Sequence, residues 1–307
     1  MRASVVAART APASWRAWAG AGLVLASCFA IQSSAALSTR LFEDLGVLKV
    51  AGLRQLVGAV ALLVLVRPRL RGRGRREWLA IAVFGASMAF MNVAFYAAVD
   101  RLPLGVASTL IYLGPFVLAA LHTPRGPQLA LPVVALVGVA LVSRPTGDVT
   151  LFGIVVGLAS AAALATYTLA SRHVGRVTTG LDGLALAVGF SALCLLPASA
   201  PALADVPAGS WDIVLHLGLA GVAFAFACDL AALRLLPARV VATLFALDPV
   251  VGALLGAVLL SEDIGLVTGL GIVLVAAAGA AVTAVARRPD ADADADAVVP
   301  VPGRPTG

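Results

Sequence analysis

The strongest constraint in this sequence is a series of apolar runs, each about 20 residues long, joined by short connections. A helix of that length crosses the hydrocarbon core of a bilayer, which is about 30 Å thick. Only 12% of the 307 residues are charged, against about 25% in a soluble domain. The sequence therefore predicts an all-α membrane protein with ten transmembrane helices. The predicted spans are residues 17–38, 47–66, 78–99, 104–123, 128–143, 151–171, 178–196, 211–233, 240–260 and 265–286.

The arginines predict which side of the membrane each connection faces, because Lys and Arg near helix ends prefer the cytoplasm. With the N-terminus inside, seventeen of the 22 basic residues fall on the cytoplasmic side, and six of these lie between residues 67 and 76. Only Arg40, Arg101 and Arg144 fall outside. This asymmetry predicts a multi-pass protein of the inner (plasma) membrane with both termini in the cytoplasm. The positive charge is a topology signal, so the lipid bilayer is an expected partner and nucleic acid is not.

Two segments of the chain repeat each other. LPLGVASTLIYLGP, residues 102–115, matches LPARVVATLFALDP, residues 236–249, at seven of fourteen positions. The repeating unit is thus five helices, and because five is odd the second half enters the membrane in the opposite direction. Such inverted repeats are typical of secondary transporters. We therefore predict a cytoplasmic segment at 1–16, five-helix repeats at 17–143 and 151–286, and a disordered cytoplasmic tail at 287–307.

Three charged side chains lie within predicted spans, where each costs about 2.5–3.5 kcal/mol on the insertion scale. They must therefore face the bundle interior or a wet cavity. Arg54 is expected to bind a substrate carboxylate, or alternatively to form a salt bridge with an aspartate. Asp248 is expected to hold a substrate ammonium or a coupling proton. Asp229 is a second candidate for proton coupling, or alternatively an interfacial charge.

Polar side chains in other spans extend this predicted site. Asn92 and Tyr96 are four residues apart and share one face of a helix. Hydrogen bonding between helices is the alternative role for such groups. The remaining candidate substrate contacts are Tyr112, Thr109 and Thr243.

Prolines and an acidic pair mark two further features. Pro115 and Pro249 are expected to interrupt their helices, because proline removes a backbone hydrogen bond. Glu262 and Asp263 are expected to lie in a solvated turn after the ninth span.

The motifs of the common enzyme classes are missing from the sequence. It contains no GxSxG, HExxH or P-loop, and its three cysteines and three histidines are scattered without ligand spacing. No catalytic residue, metal or cofactor is therefore expected. Energy for any transport would have to come from an ion gradient.

Two long segments carry a resemblance to a known family: FMNVAFYAAVDRLPLGVASTLIYLGP in the first half and LRLLPARVVATLFALDPVVGALLGAVLLSE in the second. The chain resembles the EamA-type drug/metabolite transporter superfamily, and within it looks most similar to the threonine and homoserine exporters. The resemblance implies a ten-helix inverted-repeat fold, a central cavity and proton-coupled efflux. Asp248 stands where such exporters carry Glu before Pro, Asp229 where a Glu is expected, and Ile111 where a Glu is replaced by an apolar residue.

These observations together predict a secondary transporter that exports a small metabolite. The charged residues favour an amino acid or a similar amphiphile, and the resemblance implies one of the threonine or homoserine type, moved by proton antiport through alternating access. One alternative is efflux of drug-like apolar compounds, which the apolar Ile111 supports. A non-transporting membrane scaffold is the other alternative, and a homodimer is compatible with the sequence.

Overall fold

The computed structural model describes residues 13–121, 150–177, 181–236 and 244–285, together with the isolated positions 134, 137, 138, 141, 240 and 241. Within these residues the chain is helical and contains no strand. The predicted fifth span, apart from isolated positions, and the predicted tail lie outside the described residues.

The helices follow the apolar runs. Six of the described helical stretches are long and apolar enough to cross a membrane, and three shorter apolar helices accompany them, so the chain is a multi-pass membrane protein. The first half contains α1 (Ala13–Ser38), α2 (Phe42–Leu45), α3 (Val47–Val66), α4 (Arg75–Val99) and α5 (Leu104–Leu121). The second half contains α6 (Leu151–Val177), α7 (Asp182–Asp205), α8 (Trp211–Gly218), α9 (Ala225–Leu235), α10 (Asp248–Leu259) and α11 (Leu266–Val285).

The seventh and eighth predicted spans differ from the helices that form there. The sequence predicts a seventh span that ends at residue 196, but α7 continues to Asp205 with Pro197 and Pro201 inside it. Membrane helices tolerate internal prolines because neighbouring helices and local adjustments satisfy the freed carbonyls. The predicted eighth span is divided by a π turn, Leu219–Phe224, which joins α8 to α9. Such single π turns occur often at functional sites.

Helices of one half pack against helices of the other, and each such contact has a counterpart between the equivalent helices. Helix α4 packs against α6, while α9, which takes the place of α4 in the second half, packs against α1. In the same way α5 packs on α6, and α10 packs on α1. The pairs α3–α7 and α5–α10 bring together helices with the same place in each half. These contacts fit a two-repeat architecture, since each has a counterpart between the equivalent helices of the other half.

Glycines allow the closest of these approaches. At Gly114 on α5, a Cβ would come within 2.7 Å of the carbonyl carbon of Ala161 on α6, and nearer still to its oxygen. At Gly85 on α4, a Cβ would lie 2.5 Å from the carbonyl oxygen of Ala187 on α7. Backbone atoms cannot rotate away as a side chain can, so both positions exclude a larger residue.

Gly114→Ala is expected to destabilise the protein by about 1–3 kcal/mol, because the added methyl group overpacks the α5–α6 contact. Thermal unfolding of the purified protein in detergent measures the change. Gly22→Ala on α1 is the matched control, since no atom lies within 4 Å of its Cβ position. The control should unfold at or slightly above the wild-type temperature, because alanine is the better helix former. An unchanged midpoint for Gly114→Ala would contradict the close packing.

Candidate functional site

A cavity of about 310 Å³ lies between the two halves. Its volume is at the lower end of the range of about 300–1,000 Å³ found for small-molecule sites. Side chains from α1, α3, α4, α5, α6, α9 and α10 reach it, so both halves contribute to its wall. Much of that wall is apolar and includes Ile31, Met91, Phe95, Ile111, Leu164 and Phe226.

Arg54 enters the cavity from α3 and is only 8% exposed. Its Nη1 donates to Oδ1 of Asn92, and its Nη2 donates to the carbonyl oxygen of Gly221 at 2.8 Å. The ring of Tyr96 lies 5.5 Å from the guanidinium carbon, a distance suited to a cation–π contact. Nε has no hydrogen-bond partner, and none of the ion pairs among the described residues includes Arg54. The alternative of a salt bridge between Arg54 and an aspartate is therefore wrong for the residues that the structure describes.

The two groups that hold Arg54 are themselves fixed by local structure. The Asn92 amide nitrogen donates to the carbonyl oxygen of Met88 at 2.9 Å, which leaves Oδ1 to face the guanidinium. Gly221 belongs to the π turn. A Cβ at Gly221 would collide with the Ser34 side chain and lie 3.3 Å from Nε of Arg54, so only glycine lets Arg54 come this close.

Asp248 lies in the first turn of α10 and is only 1% exposed. Its Oδ2 accepts a hydrogen bond from Nε2 of Gln32, which also lies 2.8 Å from Oγ of Ser108. Oδ1 has no hydrogen-bond partner. The Tyr112 hydroxyl and the Cys28 thiol are close enough to interact with the carboxyl group. A buried carboxylate with one oxygen unpaired is costly, so this atom needs a ligand or a proton.

The two prolines behave differently. Pro249 lies in the first turn of α10, directly after a 3₁₀ turn at Phe245–Leu247. Proline is well suited to that position because the first amides of a helix have no partner within it. The helix type therefore changes at Asp248. Pro115 lies inside α5, which continues to Leu121, so the helix does not end at this proline.

The cavity gathers most of the predicted site residues. Thr109 is an exception and does not line it: its buried hydroxyl donates to the carbonyl oxygen of Gly105 at 2.7 Å. Threonine often bonds back to the preceding turn in this way, which makes it a poor ligand. Thr243 lies outside the described residues. The predicted residues on the cavity wall are Arg54, Asn92, Tyr96, Tyr112, Asp229 and Asp248.

Asp229 lines the cavity from the middle of α9. Its Oδ1 also has no hydrogen-bond partner. Among the described residues, the cavity wall thus carries one cation and two carboxyl groups, each with an unpaired polar atom.

The sequence interpretation missed two amides. Gln32 and Gln55 both line the cavity, and Gln55 is held by a 2.7 Å hydrogen bond from its Nε2 to Oγ of Ser191. An amide in the middle of an apolar run was the available signal, since such groups are costly in lipid.

Comparison with known proteins agrees with this arrangement. The model of the EamA-like transporter family matches residues 17–144 and again residues 151–284. The chain belongs to the EamA-like transporter family. The predicted resemblance is thereby confirmed.

Relatives of this EamA-family protein include two threonine/homoserine exporters named RhtA. The one from Salmonella typhimurium (strain LT2) is 28% identical over 254 residues. The one from Escherichia coli (strain K12) is 25% identical over 253 residues. Each alignment covers 80% of this chain and 85% of the relative. A crystal structure with 20% identity superposes with a TM-score of 0.57, covering 87% of this chain and 97% of the other, and this likeness concerns the fold alone.

Proposed function

We propose that this EamA-family protein exports a small amino acid of the threonine or homoserine type across the inner (plasma) membrane in exchange for protons. The proposal includes ten transmembrane helices in two inverted five-helix repeats, with both termini in the cytoplasm. Relatives named as threonine/homoserine exporters, at 25% and 28% identity, support the substrate class.

The observation that carries the proposal is a pair of unpaired, oppositely charged groups in one small cavity. Nε of Arg54 lacks an acceptor, and Oδ1 of Asp248 lacks a donor. A zwitterion supplies both partners, because its carboxylate accepts from Nε and its ammonium donates to Oδ1. Binding therefore removes two buried unsatisfied groups at once, and each such group costs about 1–3 kcal/mol or more when left unpaired.

Size and lining also favour a small amphiphile. At about 310 Å³ the cavity is near the lower limit for small-molecule sites, which disfavours a bulky drug-like cargo. The apolar wall around Ile111 and Phe226 suits the side chain of the substrate. That wall is also the one feature that favours efflux of a small apolar compound as the alternative.

The acidic residues give a reason for exchange. Oδ1 of Asp248 accepts either a substrate ammonium or a proton, and it cannot hold both at once. Competition for one site, combined with alternating access, couples the outward movement of the amino acid to the inward movement of a proton. Asp229 offers a second carboxyl group in the same cavity.

Everted membrane vesicles with an acidic lumen test the proposal. We expect uptake of radiolabelled threonine or homoserine that stops when a protonophore collapses the pH gradient. Analogues without the carboxylate or with an acetylated ammonium should not be transported, because each leaves one of the two buried groups unpaired. Uptake of both analogues, or of an apolar dye in place of the zwitterion, would favour the drug-efflux alternative. Absence of flux for every compound with folded protein would favour a scaffold.

A further inference from the structure

Next to Asp248, at one end of the cavity, α5 packs directly on α10. A Cβ at Gly252 would come within 2.8 Å of Oγ of Ser108, and a Cβ at Gly105 within 2.7 Å of the Cβ of Ala253. These contacts follow one another along both helices, away from Asp248. The short connection at residues 100–103 leads into α5, and the arginine-rich segment at residues 67–76 lies where α4 begins. Helix α4 separates the two, so this end of the cavity lies on the opposite side from those arginines. In the proposed orientation it is the outer end.

Glu262 adds a contact between the two halves at this end. Both of its carboxylate oxygens lie 3.0 Å from the backbone nitrogen of Leu104, the first residue of α5, and accept its N–H. Its own N–H donates to the carbonyl oxygen of Gly256 at 3.2 Å. The solvated turn expected here from the sequence is therefore wrong for Glu262, which is partly buried and bonds the opposite half of the protein.

The preceding residue directs this side chain. Ser261 has φ of 56°, a left-handed conformation that residues other than glycine seldom adopt. Such strained residues persist where the surrounding structure holds them, often at switch regions. The first amides of a helix have no partner within it and carry partial positive charge, so the N-terminus of α5 is a favourable place for a carboxylate.

We propose that Glu262 is the latch of the outer gate: its bond to Leu104 holds α5 against α10 and must break each time the cavity opens outward. This inference rests on the proposed alternating-access function. A carrier of this kind releases cargo by separating the two halves at one end, and Glu262 is a titratable group that joins the halves there.

The external pH is expected to shift the balance between the closed and open gate in one direction. Burial raises the pKa of the Glu262 carboxyl, and the opposing effect of the Leu104 N–H is smaller. Opening returns the group to water and its pKa toward the ordinary range, so the closed state binds a proton more tightly. Acid on the outer side therefore favours the closed gate, and alkali favours opening. The charged groups among the described residues on the neighbouring connections are Asp263 and the Asp100–Arg101 pair, whereas α5 and α11 carry none and α10 carries only Asp248.

A cysteine reporter tests the latch without any substrate. Ile111→Cys places a thiol on the cavity wall, in a background where Cys28, Cys194 and Cys228 are replaced by alanine. A membrane-impermeant maleimide is applied to the outer face of intact cells, and the labelling rate reports outward opening. Because the maleimide reacts with the thiolate, whose fraction rises with pH, each rate is divided by that of the Glu262→Gln reporter at the same pH. In the reporter protein we expect this ratio to increase as the external pH is raised.

Two variants and a control separate gating from folding. Glu262→Ala should label about three- to tenfold faster, because the net stabilisation from one hydrogen bond between the halves is lost. Glu262→Gln keeps an acceptor for the Leu104 amide but cannot titrate, so it should label slowly and show only the pH dependence of the reporter thiol itself. Asp263→Asn, at the exposed neighbouring position, should behave like the reporter protein.

Labelling of Glu262→Ala at the reporter rate would overturn the latch, as would the same pH dependence of labelling in Glu262→Gln and in the reporter protein. The result is distinguishable from failure of the proposed function. An accelerated Glu262→Ala variant with no amino-acid flux would remove the substrate assignment alone, whereas normal flux with an unaffected Glu262→Ala would remove the latch alone.

Discussion

Replacing Arg54 with lysine is expected to lower the rate of amino-acid transport by about 10²-fold, chiefly by raising KM. The guanidinium of Arg54 binds Asn92 and the carbonyl of Gly221 at once, and its Nε remains for a substrate carboxylate. The ammonium of the introduced lysine is a point charge without this fork. It cannot reach Asn92, the Gly221 carbonyl and the substrate carboxylate in the same geometry. Misplacement of a substrate contact by about 1 Å costs a factor of that order. Uptake kinetics in everted vesicles measure the change, with thermal unfolding as the check on folding.

Lys49→Ala is the control for a change of a basic side chain outside the cavity. Lys49 pairs with Asp205 at 2.6 Å, but the two side chains are 39% and 49% exposed. Exposed ion pairs contribute about 0–1 kcal/mol, so transport and stability should both remain close to wild type. A normal KM for the zwitterion in Arg54→Lys would show that Arg54 holds the helices together and does not bind the carboxylate.

The sequence predicted the site best where placing a residue in the membrane is most costly. Arg54, Asp229 and Asp248 were expected to face a cavity because lipid exposure would cost several kcal/mol each, and all three line it. The same reasoning is weaker for neutral groups, whose cost is smaller and whose bonds are often local. Thr109 illustrates this, since its hydroxyl is satisfied by its own helix.

Contacts between the halves could not be predicted from the sequence, because they depend on how distant segments pack together. The Gly221 carbonyl became available to Arg54 through a π turn that apolar periodicity does not signal. Glu262 was expected in water because acidic residues in short connections usually are. Its bond to the backbone of Leu104 depends on the packing of α5 against α10, and no local pattern encodes that packing.

The Asp248→Asn variant is expected to lose gradient-driven accumulation while it retains exchange of substrate across the membrane. Asparagine has nearly the shape of aspartate and keeps an oxygen for the substrate ammonium, but it cannot take up a proton. Loss of the charge weakens that hydrogen bond by about 1.4 kcal/mol, so exchange should remain within about tenfold of wild type. Preloaded vesicles measure exchange without a gradient, and vesicles with an imposed pH gradient measure accumulation.

Two further aspartate variants decide between coupling and a general effect of lost charge. Asp212→Asn, at an exposed position in the first turn of α8, should leave both measurements unchanged. Asp229→Asn examines the other carboxyl group of the cavity under the same conditions. If Asp248→Asn still accumulates substrate against the gradient while Asp229→Asn does not, the proton travels on Asp229 and Asp248 only binds the ammonium. If each variant loses accumulation and keeps exchange, both carboxyl groups take part in proton movement, and more than one proton can be exchanged for each amino acid.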